Sequence, residues 1–268
     1  MNPFYKESTA RNIGIISFND HQRIKDASVS IAGLGGVGGL LAERLVRIGV
    51  GRLKISDPGL FERSNFNRQF GAAVSSLDKN KAKVISDALI DINNDLDISF
   101  DDRGIYSQSN ADELVSDTSV VIDAMDYPLI KESIYLQRAA RKRGIYYLFG
   151  SALAYGALVV IFDPNGFTLE EYNGFQKDAN LEHLNIPNIA FEKVCPELPS
   201  YIIKSCNLEM LKEMTEGKRP LSAICIGAGL SSIMLANEVI SIILGRKPTI
   251  FAPHYLHIDL VDKSVTIK

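Results

Sequence analysis

The stretch Ile31–Asp57, IAGLGGVGGLLAERLVRIGVGRLKISD, decides the fold. The β-branched run SVSIAG enters it and stops at four glycines, Gly33, Gly35, Gly36 and Gly38. GLLAERLVRIG then repeats apolar residues at helical spacing, and RLKISD reads as a second strand closed by Asp57. Glycines in such a turn let the backbone fold tightly and approach a phosphate at a helix N-terminus. A carboxylate roughly twenty residues on suits ribose hydroxyls. By itself the motif signals an adenine nucleotide, and glycines that merely pack strand on helix are the plain alternative.

Working outward, the strand–helix rhythm continues. KNKAKVISDALIDIN is an amphipathic helix with Val84, Ile85, Leu89 and Ile92 on its apolar positions, and LDISF alternates as a strand. A helix near Ala111–Val115, the buried strand SVVIDAMD, the helix IKESIYLQRAARKRG and the strand IYYLFGSA follow. Strands alternating with helices imply an α/β fold with a parallel sheet. After Ser151 the connection LAYG is too short for a crossover helix, so ALVVIFD is expected antiparallel. Residues 165–220 are mixed and proline-punctuated, and HYLHIDL and SVTIK read as a hairpin joined through Val261–Lys263. The expected architecture is Rossmann-like, its mixed sheet parallel in the first half and antiparallel in the second, with no linker.

Composition narrows the function. The 268 residues carry 29 basic and 32 acidic side chains, too even a balance for nucleic acid to be the main partner. Three cysteines at spacings that form no disulfide framework, and a polar start after Met1, point to a cytoplasmic chain. Leu221–Gly245 is long and apolar enough to raise a membrane span. With Asn237 and Glu238 inside it, a buried core or subunit-interface helix, and no membrane, is the expectation.

The residues after Asp57 choose between nucleotides. ERSNFNRQF puts Asn65, Asn67, Arg68 and Gln69 in a polar loop just past the ribose strand, where a dehydrogenase needs no guanidinium but a triphosphate does. Lys79, Lys81 and Lys83 stand at the mouth of the next helix. Asp123 and Asp126 close a buried strand at the end that faces the ligand crevice in open α/β sheets, and magnesium holding phosphate needs only one or two carboxylates.

GxGGxG, GVGRLKISD, SNFNRQ, the helix-start lysine and DAMD together resemble the ubiquitin-activating-enzyme-like superfamily of ThiF, MoeB and HesA, over roughly Gln22–Ser151. The resemblance implies ATP-dependent adenylation of a carboxylate, usually on a peptide or small protein, by a homodimer. It implies one ThiF-like domain over 1–268, with an ATP-binding half to residue 151 and a substrate-binding and dimerisation half beyond. Gly33, Gly35 and Gly36 match the phosphate turn, Asp57 the ribose ligand, Asn65 and Arg68 the triphosphate contacts and Lys81 the α-phosphate lysine. Asp126 matches the magnesium ligand, and Arg11 an arginine reaching the neighbouring subunit's ATP.

An ionised carboxylate attacks phosphorus without a general base, so no catalytic histidine is expected. Arg68, Lys81 and Asp126 are the candidate catalytic residues. This sequence departs from the family at Gly59, Tyr127 and Lys131, where an acid, an asparagine and an arginine are frequent. It also lacks the paired CxxC motifs of the zinc-bearing relatives, so no zinc site is expected. Cys195 and Cys206 are the thioester candidates, with inert thiols the plainer reading, and Cys225 reads as packing. A calcium loop in DINNDLDISFDD is disfavoured by Leu96 and Asp102 at its critical positions, and His254 and His257 point to opposite faces of a strand. An NAD-dependent oxidoreductase, or a nucleotide-binding partner protein without catalysis, remains the alternative.

Overall fold

Buried apolar residues on the central strands, Val29 and Ile31 on the first of them and Leu158–Ile161 further along the sheet, set the layer order. The computed structural model describes residues 3–126, 129–182, 199–205, 207–216 and 218–268. Two helices, α1 (Pro3–Ser8) and α2 (Phe18–Asp26), precede β1 (Ser28–Ala32). Then come α3 (Gly38–Ile48), β2 (Arg52–Ser56), α4 (Lys81–Ile92), β3 (Asp97–Asp101) and α5 (Gln108–Leu114). β4 (Val120–Asp123), α6 (Ile130–Lys142), β5 (Tyr146–Leu153) and β6 (Gly156–Phe162) follow. The chain ends with α7 (Leu169–Tyr172), α8 (Ser200–Ser205), α9 (Leu208–Thr215), α10 (Cys225–Ile243), β7 (Leu256–Asp259) and β8 (Ser264–Ile267).

One sheet holds all eight strands in the order β3-β2-β1-β4-β5-β6-β7-β8. The first five run parallel and β6, β7 and β8 antiparallel, as the short LAYG connection requires. Ile31 sits beside Ile55 on one side and Ile122 on the other, all three fully buried. From β1 the chain winds outward to β2 and β3, and from β4 it winds the other way. The reversal opens a crevice outside the carboxyl ends of β1 and β4.

Helix α3 buries Leu41, Ala42, Leu45 and Val46 and stops at Gly49, whose φ of 109° only glycine adopts without strain. Truncating Leu41 or Leu45 to alanine would cost about 2–5 kcal/mol. The apolar segment Leu221–Gly245 becomes helical only at Cys225, and α10 packs on β5, β6 and α3. It is the one described helix long and apolar enough to cross a membrane, yet Leu235 and Val239 are fully buried in the core. Its other face leaves Ile226 and Ile233 exposed, so it is half a core helix. The mixed, proline-punctuated region 165–220 contains α7, α8 and α9, and α1 and α2 form in the N-terminal stretch before β1.

Candidate functional site

The glycine turn is shaped by its neighbours. Gly33 has φ of 87°, its amide donates to the Ser56 carbonyl at 2.8 Å, and a Cβ there would run into the Ala124 carbonyl beyond β4. Gly38 opens α3 so close to Gly33 that a Cβ would strike the Gly33 carbonyl. No side chain caps α3 at Val37; the Gly39 amide donates to the Gly35 carbonyl at 3.2 Å, and a helix start without a side-chain cap suits an anion.

Asp57 lies buried at the end of β2 with both carboxylate oxygens engaged. Oδ2 accepts from the Leu34 amide at 2.6 Å and Oδ1 from the Gly59 amide at 2.7 Å. The acid therefore clamps the glycine turn to the segment after β2, in addition to any ribose contact. Asn80 completes the clamp, and sequence reading passed over it. Its Nδ2 donates to the Asp57 carbonyl at 3.1 Å while its Oδ1 caps α4 by accepting from the Lys83 amide at 3.0 Å. Asparagine directly before a helical run was the available signal.

Lys81 is the first residue of α4, and its amide donates to the Gly59 carbonyl at 2.9 Å. Its Nζ lies 3.4 Å, and Asp57 Oδ1 2.9 Å, from the point a Gly59 Cβ would occupy. The ammonium and the Asp57 carboxylate thus border one small space that glycine leaves open. Lys83 turns away to Asp87 at 2.5 Å.

The SNFNRQ loop folds back over the turn. Asn65 is buried and its Oδ1 accepts from the Glu62 amide at 3.0 Å, so it shapes the loop. The Arg68 Cγ and Cδ lie 3.2 and 3.3 Å from the Cβ position of Gly36, and its Nη1 donates to the Ser64 carbonyl and Asn67 Oδ1 at 3.1 and 2.9 Å. Gln69 packs beside Gly35 with its buried Oε1 unpartnered, an orphan polar atom of the kind ligands satisfy. Asn67 Nδ2 donates to the Ala223 carbonyl at 2.9 Å and ties the loop to the entrance of α10. There Ala228 Cβ lies 3.3 Å from the Gly36 Cβ position, so the N-terminus of α10 borders the same turn.

Asp123 and Asp126 part company. Asp126 is exposed just beyond β4, whereas Asp123 is 1% exposed and accepts from the Met125 amide at 2.9 Å and from the Tyr147 hydroxyl. The expectation that both face the crevice is corrected: side chains alternate along β4, and Asp123 points toward α6. Burial pushes its carboxyl up, and pushes the Tyr147 hydroxyl well up.

Gly33, Gly35, Gly36, Asp57, Asn65, Arg68, Lys81 and Asp126 therefore gather at the carboxyl ends of β1, β2 and β4. Arg11 does not join them. It is exposed on the N-terminal arm, whose Asn12 donates to the Ile48 carbonyl at 3.5 Å, at the opposite end of α3 from the glycines. Lys131 pairs with Glu182 at 2.7 Å. Cys225 is exposed, which corrects its reading as packing. His254 precedes β7 and His257 is buried within it. Tyr127, His183, Cys195 and Cys206 lie outside the described residues.

A magnesium ion bound with a triphosphate needs one or two carboxylates and fills its remaining positions with phosphate and water, a demand the exposed Asp126 carboxylate meets. Among the described residues no cluster of three or more acidic, histidine or cysteine side chains is placed to hold a metal alone.

The ThiF family model matches residues 9–267. Ubiquitin-like modifier-activating enzyme 5 of Caenorhabditis elegans is 32% identical over 115 residues, 43% of this chain and 27% of the relative. The sulfur carrier protein ThiS adenylyltransferase of Bacillus subtilis is 34% identical over 141 residues, 50% of this chain and 40% of the relative. The aligned stretches thus span less than half of either relative's length. Among solved structures, PaaA superposes with a TM-score of 0.72 at 17% identity, over 100% of this chain and 74% of that one. E. coli MccB with ATP gives 0.69 at 16%, over 93% and 64%. At such identities the likeness concerns the fold.

Proposed function

The chain belongs to the ThiF family, and from that premise we propose that it adenylates the carboxylate of a peptide or small protein at the expense of ATP, releasing pyrophosphate. The observation that carries the proposal is the pair of cations around one phosphate turn. The Arg68 stem lies on Gly36, and the Lys81 ammonium borders Asp57. A nicotinamide enzyme has no use for both.

In this reading ATP lies across the carboxyl ends of β1 and β2, with its phosphates over the amides of Gly35–Gly38 and its ribose at Asp57. The acceptor carboxylate, ionised at neutral pH with an ordinary pKa of about 3.3–3.7, attacks the α-phosphorus and needs no base. As the new P–O bond forms, the bond to the β-phosphate oxygen breaks and pyrophosphate leaves. Lys81 offsets charge at the α-phosphate and Arg68 at the departing pyrophosphate, both from preorganised positions. Magnesium, when bound with the nucleotide at Asp126, supplies further neutralisation.

A protein or peptide acceptor is supported by the relative that acts on the sulfur carrier protein ThiS and by MccB solved with N-formylated MccA. A homodimer is supported by Arg11, too far from its own crevice, and by the exposed Ile226 and Ile233 on α10. The test is ATP–pyrophosphate exchange with and without added candidate peptides. Peptide-dependent exchange is the expected result. Tight ATP binding with no exchange for any acceptor would replace the enzyme with a nucleotide-binding partner protein, and NADH binding in place of ATP would favour an oxidoreductase.

A further inference from the structure

Asp123 ends β4 directly beside Ala32, the last residue before the glycine turn. Its carboxylate, almost wholly buried, joins three elements. Oδ1 accepts from the Met125 amide at 2.9 Å in its own loop, Oδ2 accepts from the Tyr147 hydroxyl on β5, and the Ser133 hydroxyl of α6 bonds to it as well. Tyr147 is fixed in turn by an edge-on contact with Phe162, ring centroids 5.5 Å apart.

The Ala124–Met125 peptide that this carboxylate holds is the backbone pressed against Gly33, since a Cβ on Gly33 would collide with the Ala124 carbonyl and lie 2.6 Å from the Met125 nitrogen. The Ala124 amide also donates to the Ala32 carbonyl at 2.8 Å. One residue further on stands Asp126. A single peptide plane therefore abuts the pivot of the phosphate turn and launches the exposed acid, and its tilt is set by a bond from inside the protein.

We infer that Asp123 and Tyr147 are positioning residues of the nucleotide site: their buried pair, acting through the Met125 amide, fixes Gly33 and Asp126 relative to one another. The inference rests on the proposed ATP reading for its functional half alone. Burying a carboxylate is costly unless its oxygens are bonded, and this one is retained where its bonds converge on the crevice. A role confined to packing leaves that convergence without purpose.

The test uses the full chain and four variants: Tyr147→Phe, Asp123→Asn, Asp123→Ala and, as a packing control, Ile134→Val in the same buried layer. Two quantities are read, amide hydrogen exchange without nucleotide and ATP affinity by calorimetry. Asp123→Ala should speed exchange at Met125 and across Gly33–Gly38, and weaken ATP binding, each by about tenfold or more, the usual scale of a lost buried hydrogen bond. Asp123→Asn keeps an oxygen for the Met125 amide and should restore most of both. Tyr147→Phe removes one hydroxyl and should fall between them, so the test survives if the alanine variant does not fold. Ile134→Val should lower the melting temperature and move neither quantity. The inference is overturned if Asp123→Ala, or Tyr147→Phe where the alanine variant does not fold, leaves exchange in the turn at the wild-type rate, or if the control moves it equally. A wild-type protein that binds no ATP overturns the adenylation reading and leaves the exchange comparison standing.

Discussion

Replacing Asp57 with asparagine separates its two roles. The carboxylate faces two backbone donors, Leu34 at 2.6 Å and Gly59 at 2.7 Å. An amide offers one oxygen and one NH2, so whichever way it flips, one N–H meets another donor. Losing one hydrogen bond to a charged acceptor costs about 1.5–3 kcal/mol. At about 2–4 °C per kcal/mol for a domain of this size, the melting temperature should fall by roughly 3–12 °C. A ribose hydroxyl bonded to the same carboxylate loses a similar amount, which weakens ATP binding by about 10- to 150-fold. Differential scanning fluorimetry reads the first number and calorimetric titration with ATP, on protein held well below its melting temperature, the second. Unchanged melting with weakened ATP would refute the clamp, and lowered melting with intact ATP affinity would remove Asp57 from the ribose site.

Three further outcomes are expected. Lys81→Ala, which removes a half-buried ammonium with no ion pair among the described residues, should slow peptide-dependent exchange by about 100- to 1,000-fold, as for other lost electrostatic donors, with an unshifted melting curve. Gly59→Asp would place a carboxylate between Asp57 Oδ1 and Lys81 Nζ, so it should draw the ammonium away from the nucleotide and lower ATP affinity, most clearly at low salt. His21 and His257 are buried with no hydrogen-bond partner on either nitrogen, and burial holds both imidazoles below the usual range. Because the unfolded chain protonates first as the pH falls through about 6.5, their contribution is complete above that value and lost below it. Urea midpoints at pH 7.5 and 5.5 should therefore differ, and His21→Phe with His257→Phe should shrink the difference; a pH-independent midpoint contradicts the sign.

The first half of the fold was legible because each of its signals is local. The β-branched run to Ala32, the glycines and the helical spacing to Ile48 repeat a short-range rule, and the four residues of LAYG were enough to reverse β6. Of the candidate site, the placement was legible where spacing from the glycine turn is short, as for Arg68 at Gly36 and Lys81 beside Asp57. It was not legible where one residue type serves either role. Nothing local distinguishes Asp123 from Asp126; Asp123 is buried within β4, where the Tyr147 hydroxyl reaches it from β5, while Asp126 lies past the strand end. Cys225 reads as packing because its neighbours are apolar, yet as the first residue of α10 it is exposed. The described helices between residues 165 and 220 run only four to eight residues, too short for periodicity to carry a signal.

Helix α10 gives the molecule a strut. Nineteen residues at about 1.5 Å each make a rod of about 28 Å. One end adjoins Gly36 and is tethered to the SNFNRQ loop through Asn67 and Ala223, while beyond the other the Leu244 carbonyl receives Arg23 of α2 at 2.8 Å. A rod pinned at both ends links the loop beside Gly36 to α2, two parts of the chain that a full helix length keeps apart.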